Sequence, residues 1–171
     1  MEETLKVLNE LEKKGLIERY VIGGGIAVLF YAEPILTYDL DVFCLLPEET
    51  AGFITLSTIY EYLQKKGYGV DAEHVIIEGI PVQFIPPYNE LVKEAIEQAI
   101  EIKYERVKTR VIRAEHLLAI MLQTYRPKDR VRMLSLLSQA QTKIDMPYIE
   151  DILERHGLQK KWLEFRGLYR E

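Results

Sequence analysis

Leu5, Leu8 and Leu11 recur at helical spacing in a charged opening segment, and Gly15 follows them, which predicts an amphipathic helix over 3–14. Arg19 to Ile22 predicts a short strand running into Gly23-Gly24-Gly25. The apolar run after the glycines predicts a helix over 25–32, and LTYDLDVFCL predicts a strand over 38–46. Pro47 then opens a long helix with Phe53, Leu56, Ile59 or Tyr60, and Leu63 on one face, ending at Lys65-Lys66-Gly67. HVIIEGIPVQFI over 74–85 predicts a hairpin folded at Glu78-Gly79. Pro86-Pro87 ends it, and Asn89 can cap a helix over 90–99. One more strand is expected over 107–112, with Lys108 and Arg110 on one face.

The rest is helical: 114–125, a break at Arg126-Pro127, 128–140, 147–156, and a last turn or two after Gly157. Two apolar stripes, Leu117, Leu118, Met121 and Leu122, then Val131, Leu134 and Leu137, are core by this pattern. A mixed sheet flanked by helices and followed by a helical tail is the α+β class. The expected organisation is a core over 1–113 with a helical extension over 114–171, packed as one compact unit.

Composition adds bounds. At 171 residues and 48% hydrophobic, the chain can bury a core of single-domain size. No apolar run reaches the roughly 18 residues of a membrane span, and the charged opening segment has no basic-then-apolar leader. The single cysteine, Cys44, excludes a disulfide within the chain and shares strand parity with Leu40 and Val42, as a core thiol would. A cytoplasmic location is expected. The net charge of −5 hides an asymmetry. Residues 1–100 carry seven Lys and Arg against seventeen Asp and Glu, whereas 103–132 carry nine basic residues against three acidic. An acidic half facing a basic half suits an anionic substrate.

The chemistry concentrates in VIGGGIAVLFYAEPILTYDLDVF. Asp39 and Asp41 sit at i and i+2, so a strand would place them on one face with Cα atoms roughly 7 Å apart. Like charges that close and partly buried repel or take up protons unless a divalent cation holds them, Mg²⁺ or Mn²⁺ by their oxygen-only character. Gly23, Gly24 and Gly25 let the backbone approach phosphates closely, and the following helix start offers free N–H groups. The dinucleotide fingerprint is excluded because position 28 is Val, and no Gly-Lys-Ser/Thr is present for a P-loop. His74, His116 and His156 are scattered without zinc-ligand spacing, as partly exposed surface or helix-end residues would be.

A glycine pair followed about a dozen residues later by Asp-x-Asp resembles the nucleotidyltransferase superfamily with its polymerase-beta-like mixed sheet. GGIAVLFYAEP-x-x-T-x-DLDV is similar to the bacterial and archaeal AbiEii/AbiGii toxin-type members, and AEHLLAIMLQTYRPKDRVRMLSLL resembles their substrate-side helix pair. The resemblance spans residues 20–140. It implies a transferase moving a nucleoside monophosphate from an NTP to a hydroxyl, with Asp39 and Asp41 catalytic and metal-binding. Gly23, Gly24, Gly25, Thr37, Arg126 and Lys128 would contact the nucleotide, with Asp129 between the same two helices. A tRNA or other RNA end is an implied acceptor, and a cognate antitoxin or other protein an implied partner.

Two departures accompany the resemblance. Ile35 and Leu36 stand where many relatives carry Arg, and Gln83 stands where the third carboxylate of the family is expected. A neutral amide cannot act as a general base. Glu73 and Glu78 are the nearby carboxylates, and neither looks well aimed from its hairpin position. The alternative to an active enzyme is therefore a nucleotide- or partner-binding module of the same fold.

Overall fold

The glycine turn and the Asp-bearing strand are built next to each other because the first two strands form an antiparallel pair. The computed structural model describes residues 1–32, 36–47, 55–139 and 144–169. In chain order the elements are α1 (Glu2–Lys13), β1 (Arg19–Ile22), α2 (Gly24–Val28), β2 (Leu40–Leu45), α3 (Leu56–Lys65), β3 (Gly69–Asp71), β4 (His74–Ile77) and β5 (Ile80–Ile85). There follow α4 (Glu90–Glu97), β6 (Ile100–Tyr104), β7 (Val107–Val111), α5 (Ala114–Thr124), α6 (Pro127–Gln139), α7 (Met146–Arg155) and α8 (Gln159–Leu168).

The seven strands form one sheet in the order β3-β4-β5-β2-β1-β7-β6. β2 runs parallel to β5 and β1 parallel to β7, while the remaining neighbours are antiparallel. The two faces differ by strand parity. Tyr20, Leu40, Val42, Cys44, Val82 and Phe84 share one face and are buried. Helix α1 covers it through Asn9, which accepts from the Tyr20 hydroxyl at 2.8 Å, and α3 through an edge-on Tyr60–Phe84 ring contact. Burial pushes the Cys44 thiol up to about 12, so it is an inert core group.

Several local signals act as their chemistry dictates. Glu78 and Gly79 both take positive φ, the two-residue turn whose twist matches a hairpin. The Asn89 side chain accepts from Val92 N–H at 2.9 Å and caps α4. Helix α5 stops at Tyr125, which takes a left-handed conformation, and Pro127 opens α6 where its missing N–H costs nothing.

Other expectations are corrected. The Asp-bearing strand begins at Leu40, so Asp39 precedes it. The helix after the glycines is five residues long, and α4 ends at Glu97. The next residues, which have weak alternation, pair with β7 as β6, and Gly69–Asp71 adds β3 at the far edge. The chain after Gly157 forms a ten-residue helix, α8, anchored by buried Trp162 and Phe165. The helix expected from Pro47 is seen from Leu56 onward; 48–54 lie outside the described residues, as do Ile35 and residue 140.

The stripe expected on α6 is also corrected. Val131 is 57% exposed, and Leu134 and Leu137 are only partly buried. The inward face is instead Asp129, Arg132, Met133 and Leu136, an i, i+3, i+4, i+7 set with two charged members. Among the described residues no helix is long and apolar enough to cross a membrane.

Candidate functional site

Gly24 is where the site begins. Its φ of +57° places it in the left-handed region, and a Cβ there would overlap the Asp41 carboxylate. Gly23 N–H donates to the Asp41 carbonyl at 2.9 Å, holding the turn against β2. A side chain at Gly23 would collide with the Phe43 ring, and one at Gly25 would begin 2.5 Å from Arg132 Nη2 and 2.7 Å from Thr37 Oγ1. All three glycines are thus needed for close packing of the turn against named side chains. Thr37 donates to Asp39 Oδ1 at 3.3 Å and steadies the second carboxylate just before the strand.

Across the sheet, Asp41 stands directly opposite Gln83 on the parallel neighbour β5, and Gln83 directly opposite His74 on β4. In-register neighbours point to the same face, so an amide lies beside the Asp41 carboxylate. Glu73 and Glu78 are exposed at turns, and Glu78 accepts from the Tyr68 hydroxyl at 2.7 Å. Among the described residues no set of three or more His, Cys, Asp or Glu could hold a metal ion by itself.

Asp41 opens onto a cleft of about 320 Å³ between this sheet face and α5–α6. Asp41, Gln83, Arg126 and Arg132 supply its polar side, and Phe43, Ile85, Ile112 and Met121 its apolar side, with half-exposed Tyr88 at the mouth. Two grooves of about 480 Å³ lie elsewhere, one lined by α7 and α8 and one beside α1 and β7. Neither contains the glycines or the Asp pair.

Burial raises the Asp41 carboxyl above its ordinary range, and the Asp39 charge adds to it; Arg132, Lys128 and Arg126 oppose them. The positive charges of Arg132, Lys128 and Arg126 therefore act on Asp41 from the α5–α6 side. Arg126 has a second attachment. Asp129 is fully buried and accepts from Thr124 Oγ1 at 2.8 Å, Arg126 N–H at 3.0 Å and Arg126 Nε at 2.8 Å. Burial pushes the Asp129 carboxyl up, but these bonds outweigh it and hold it below its usual value. Asp129 is accordingly a brace for the α5–α6 junction. Lys128 is exposed beside it.

Lys108 and Arg110 are not part of the cleft. Arg110 is held at 2.7 Å by Glu12 on the far side of β7. The expectation of partly exposed histidines fails for His116. It is fully buried, its Nε2 meets Glu94 at 3.0 Å, and Tyr148 packs on it edge-on. Glu94 also engages His156 at 2.9 Å and Arg155 at 2.6 Å, joining α4, α5 and the end of α7.

Arg132 is the site residue that periodicity alone missed, because an arginine on the inward face of a helix reads as solvated. Its spacing of three from Asp129, with Met133 and Leu136 on the same face, was the available signal.

No protein-family model matches the chain, and no curated protein matches it. Among solved structures it is similar to the crystal structure of an antigenic nucleotidyltransferase-like protein from Paracoccidioides brasiliensis. The TM-score is 0.59 at 13% identity, covering 96% of this chain and 91% of that one. The chain has a nucleotidyltransferase-like fold. At this identity the likeness shows the nucleotidyltransferase-like architecture alone and does not bear on the toxin-type subgroup, so the chemistry has to come from the cleft.

Proposed function

We propose that the protein is a metal-dependent nucleotidyltransferase that moves a nucleoside monophosphate from an NTP to a hydroxyl acceptor. The observation that carries this reading is the packing of the Gly24 turn on the Asp41 carboxylate, in a cleft that Arg126 and Arg132 also line. The donor set fits Mg²⁺ or Mn²⁺. Asp39 and Asp41 are hard oxygen ligands, Gln83 can add an amide oxygen, and Mg²⁺ sites usually combine one or two carboxylates with substrate phosphates. When bound, the ion would neutralise charge on the phosphates and the leaving pyrophosphate.

The chain's own residues do the rest. Burial and the neighbouring Asp39 charge raise the Asp41 carboxyl, and a bound cation would offset both, which ties nucleotide binding to metal. Gly23–Gly25 keep side chains out of the approach to the Asp pair. Lys128 and Arg126 bring positive charge toward the phosphates, and the apolar wall excludes water around the reacting centre. Attack requires a hydroxyl held in line; with Gln83 neutral, no side chain opposite Asp41 can take its proton.

The acceptor reading includes an RNA end such as a tRNA 3′ terminus. The basic residues divide between the cleft and the Glu12-bound Arg110, so an RNA would be engaged chiefly through the α6 side. A cytoplasmic setting and an antitoxin-like partner protein belong to this toxin-type version of the proposal.

The second reading is a nucleotide- or partner-binding module without turnover, and the Asp41–Gln83 pairing favours it. Calorimetric titration of the four NTPs with and without Mg²⁺, on wild type and Asp39→Asn/Asp41→Asn, tests the common premise. Magnesium-dependent binding that the double variant loses is the expected result; no NTP binding sinks both nucleotide readings. Labelled-NTP transfer to tRNA or to protein then separates enzyme from binding module.

A further inference from the structure

Arg132 is only 6% exposed, on the inward face of α6, and it lines the cleft. Among the described residues no hydrogen bond and no ion pair engages its guanidinium. A buried charge is costly unless it is paired. Asp41 feels its field, yet the two do not close to ion-pair distance. Five N–H donors in a rigid fork are thus left beside the Asp pair.

The position is built for this side chain. Arg132 Nη2 and Thr37 Oγ1 converge on the Cα of Gly25, each where a side chain at 25 would begin. Gly25 is therefore small in order to admit the guanidinium.

We propose that Arg132 is an oxyanion-binding residue that grips a phosphate of a polyphosphate chain entering the cleft. The guanidinium fork matches phosphate geometry. The cleft is small, which favours the compact terminal polyphosphate of a nucleotide over an extended phosphodiester backbone. The assignment rests on the nucleotide reading of the cleft and refines it. Arg132 would bind phosphate directly, whereas the Asp pair would bind it through a cation.

The two contributions separate when metal is removed. With EDTA present, inorganic tripolyphosphate should bind the full-length wild type, and Arg132→Gln should weaken it roughly tenfold or more. Arg132→Lys should fall between them. Asp39→Asn/Asp41→Asn should bind tripolyphosphate more tightly than wild type, because it removes two like charges. Arg132→Gln should also lose the increase in melting temperature that tripolyphosphate confers on wild type. Equal tripolyphosphate affinity in wild type and Arg132→Gln, or no metal-free binding by wild type and the Asp double variant, overturns the proposal. So does full competition by an oligoribonucleotide lacking terminal phosphates. Magnesium-dependent NTP binding retained by Arg132→Gln would defeat this assignment and leave the proposed function standing. Metal-free tripolyphosphate binding, with no magnesium dependence for any NTP, would do the reverse.

Discussion

The Cα of Gly24 lies directly against the carboxylate of Asp41, although the two are separated by seventeen positions in the chain. The turn and the acid are one structural unit: the left-handed backbone at 24 brings the glycine under β2, and only a missing side chain leaves room for the carboxylate. Gly24→Ala should cost about 2 kcal/mol or more, from the positive φ and from the overlap it creates. Thermal unfolding measures the loss, and magnesium-dependent NTP binding should fall with it. A variant with wild-type stability and affinity would show that the glycine is not needed for the approach.

Asp41 and Gln83 face each other across parallel strands. Gln83→Glu would set a third carboxylate beside the pair. Without metal the added like charge should lower the melting temperature. With Mn²⁺ the extra oxygen ligand should tighten binding by roughly tenfold, read from the free-ion signal in electron paramagnetic resonance. Unchanged Mn²⁺ affinity would place position 83 outside the metal's reach.

Asp129 braces the α5–α6 junction through Thr124 and Arg126. Asp129→Ala should cost about 2 kcal/mol, since a buried acceptor with four donors is lost while exposed Arg126 can rehydrate. Denaturant unfolding measures this. NTP affinity should fall as well, because α6 carries Lys128 and Arg132 toward Asp41.

Glu94 and His116 give the fold a directional response to acid. Burial depresses the His116 pKa below its ordinary 6.5, so its stabilising contribution is complete above that value and is lost as pH falls through it. The Arg155, His156 and His116 hydrogen bonds hold the Glu94 carboxyl well below its ordinary 4.5, so its contribution is lost at still lower pH. Melting temperature should therefore decline from pH 7 to pH 5 through His116 and fall further below pH 4.5 through Glu94. His116→Gln should flatten the first part of that slope, and Glu94→Gln should cost about 1–3 kcal/mol at pH 7.

Much of the frame was legible because local chemistry and long-range packing agreed. Leu5, Leu8 and Leu11 form a buried stripe, and the Glu78-Gly79 turn and the Asn89 cap sit where their residue types demand. The glycine–aspartate unit was readable for a related reason: Asp in an apolar strand and consecutive glycines before a helix are each costly by propensity, so their coincidence points to chemistry. β6, α8 and the true inward face of α6 were not readable. IEIKY becomes a strand because VKTRV offers a partner, and α8 persists because Trp162 and Phe165 dock, neither of which a local pattern encodes.

By itself the sequence determined the α+β alternation, the hairpin, the caps and the pair of acids with their glycine turn, all set by backbone preferences within a few residues. Only the tertiary structure decided that Gln83 faces Asp41, that Asp129 is a brace, that His116 is buried on Glu94, and that Arg132 reaches Gly25 without a partner. Each of those depends on which distant side chain occupies the adjoining space, and burial and charge pairing are properties of that space rather than of the residue.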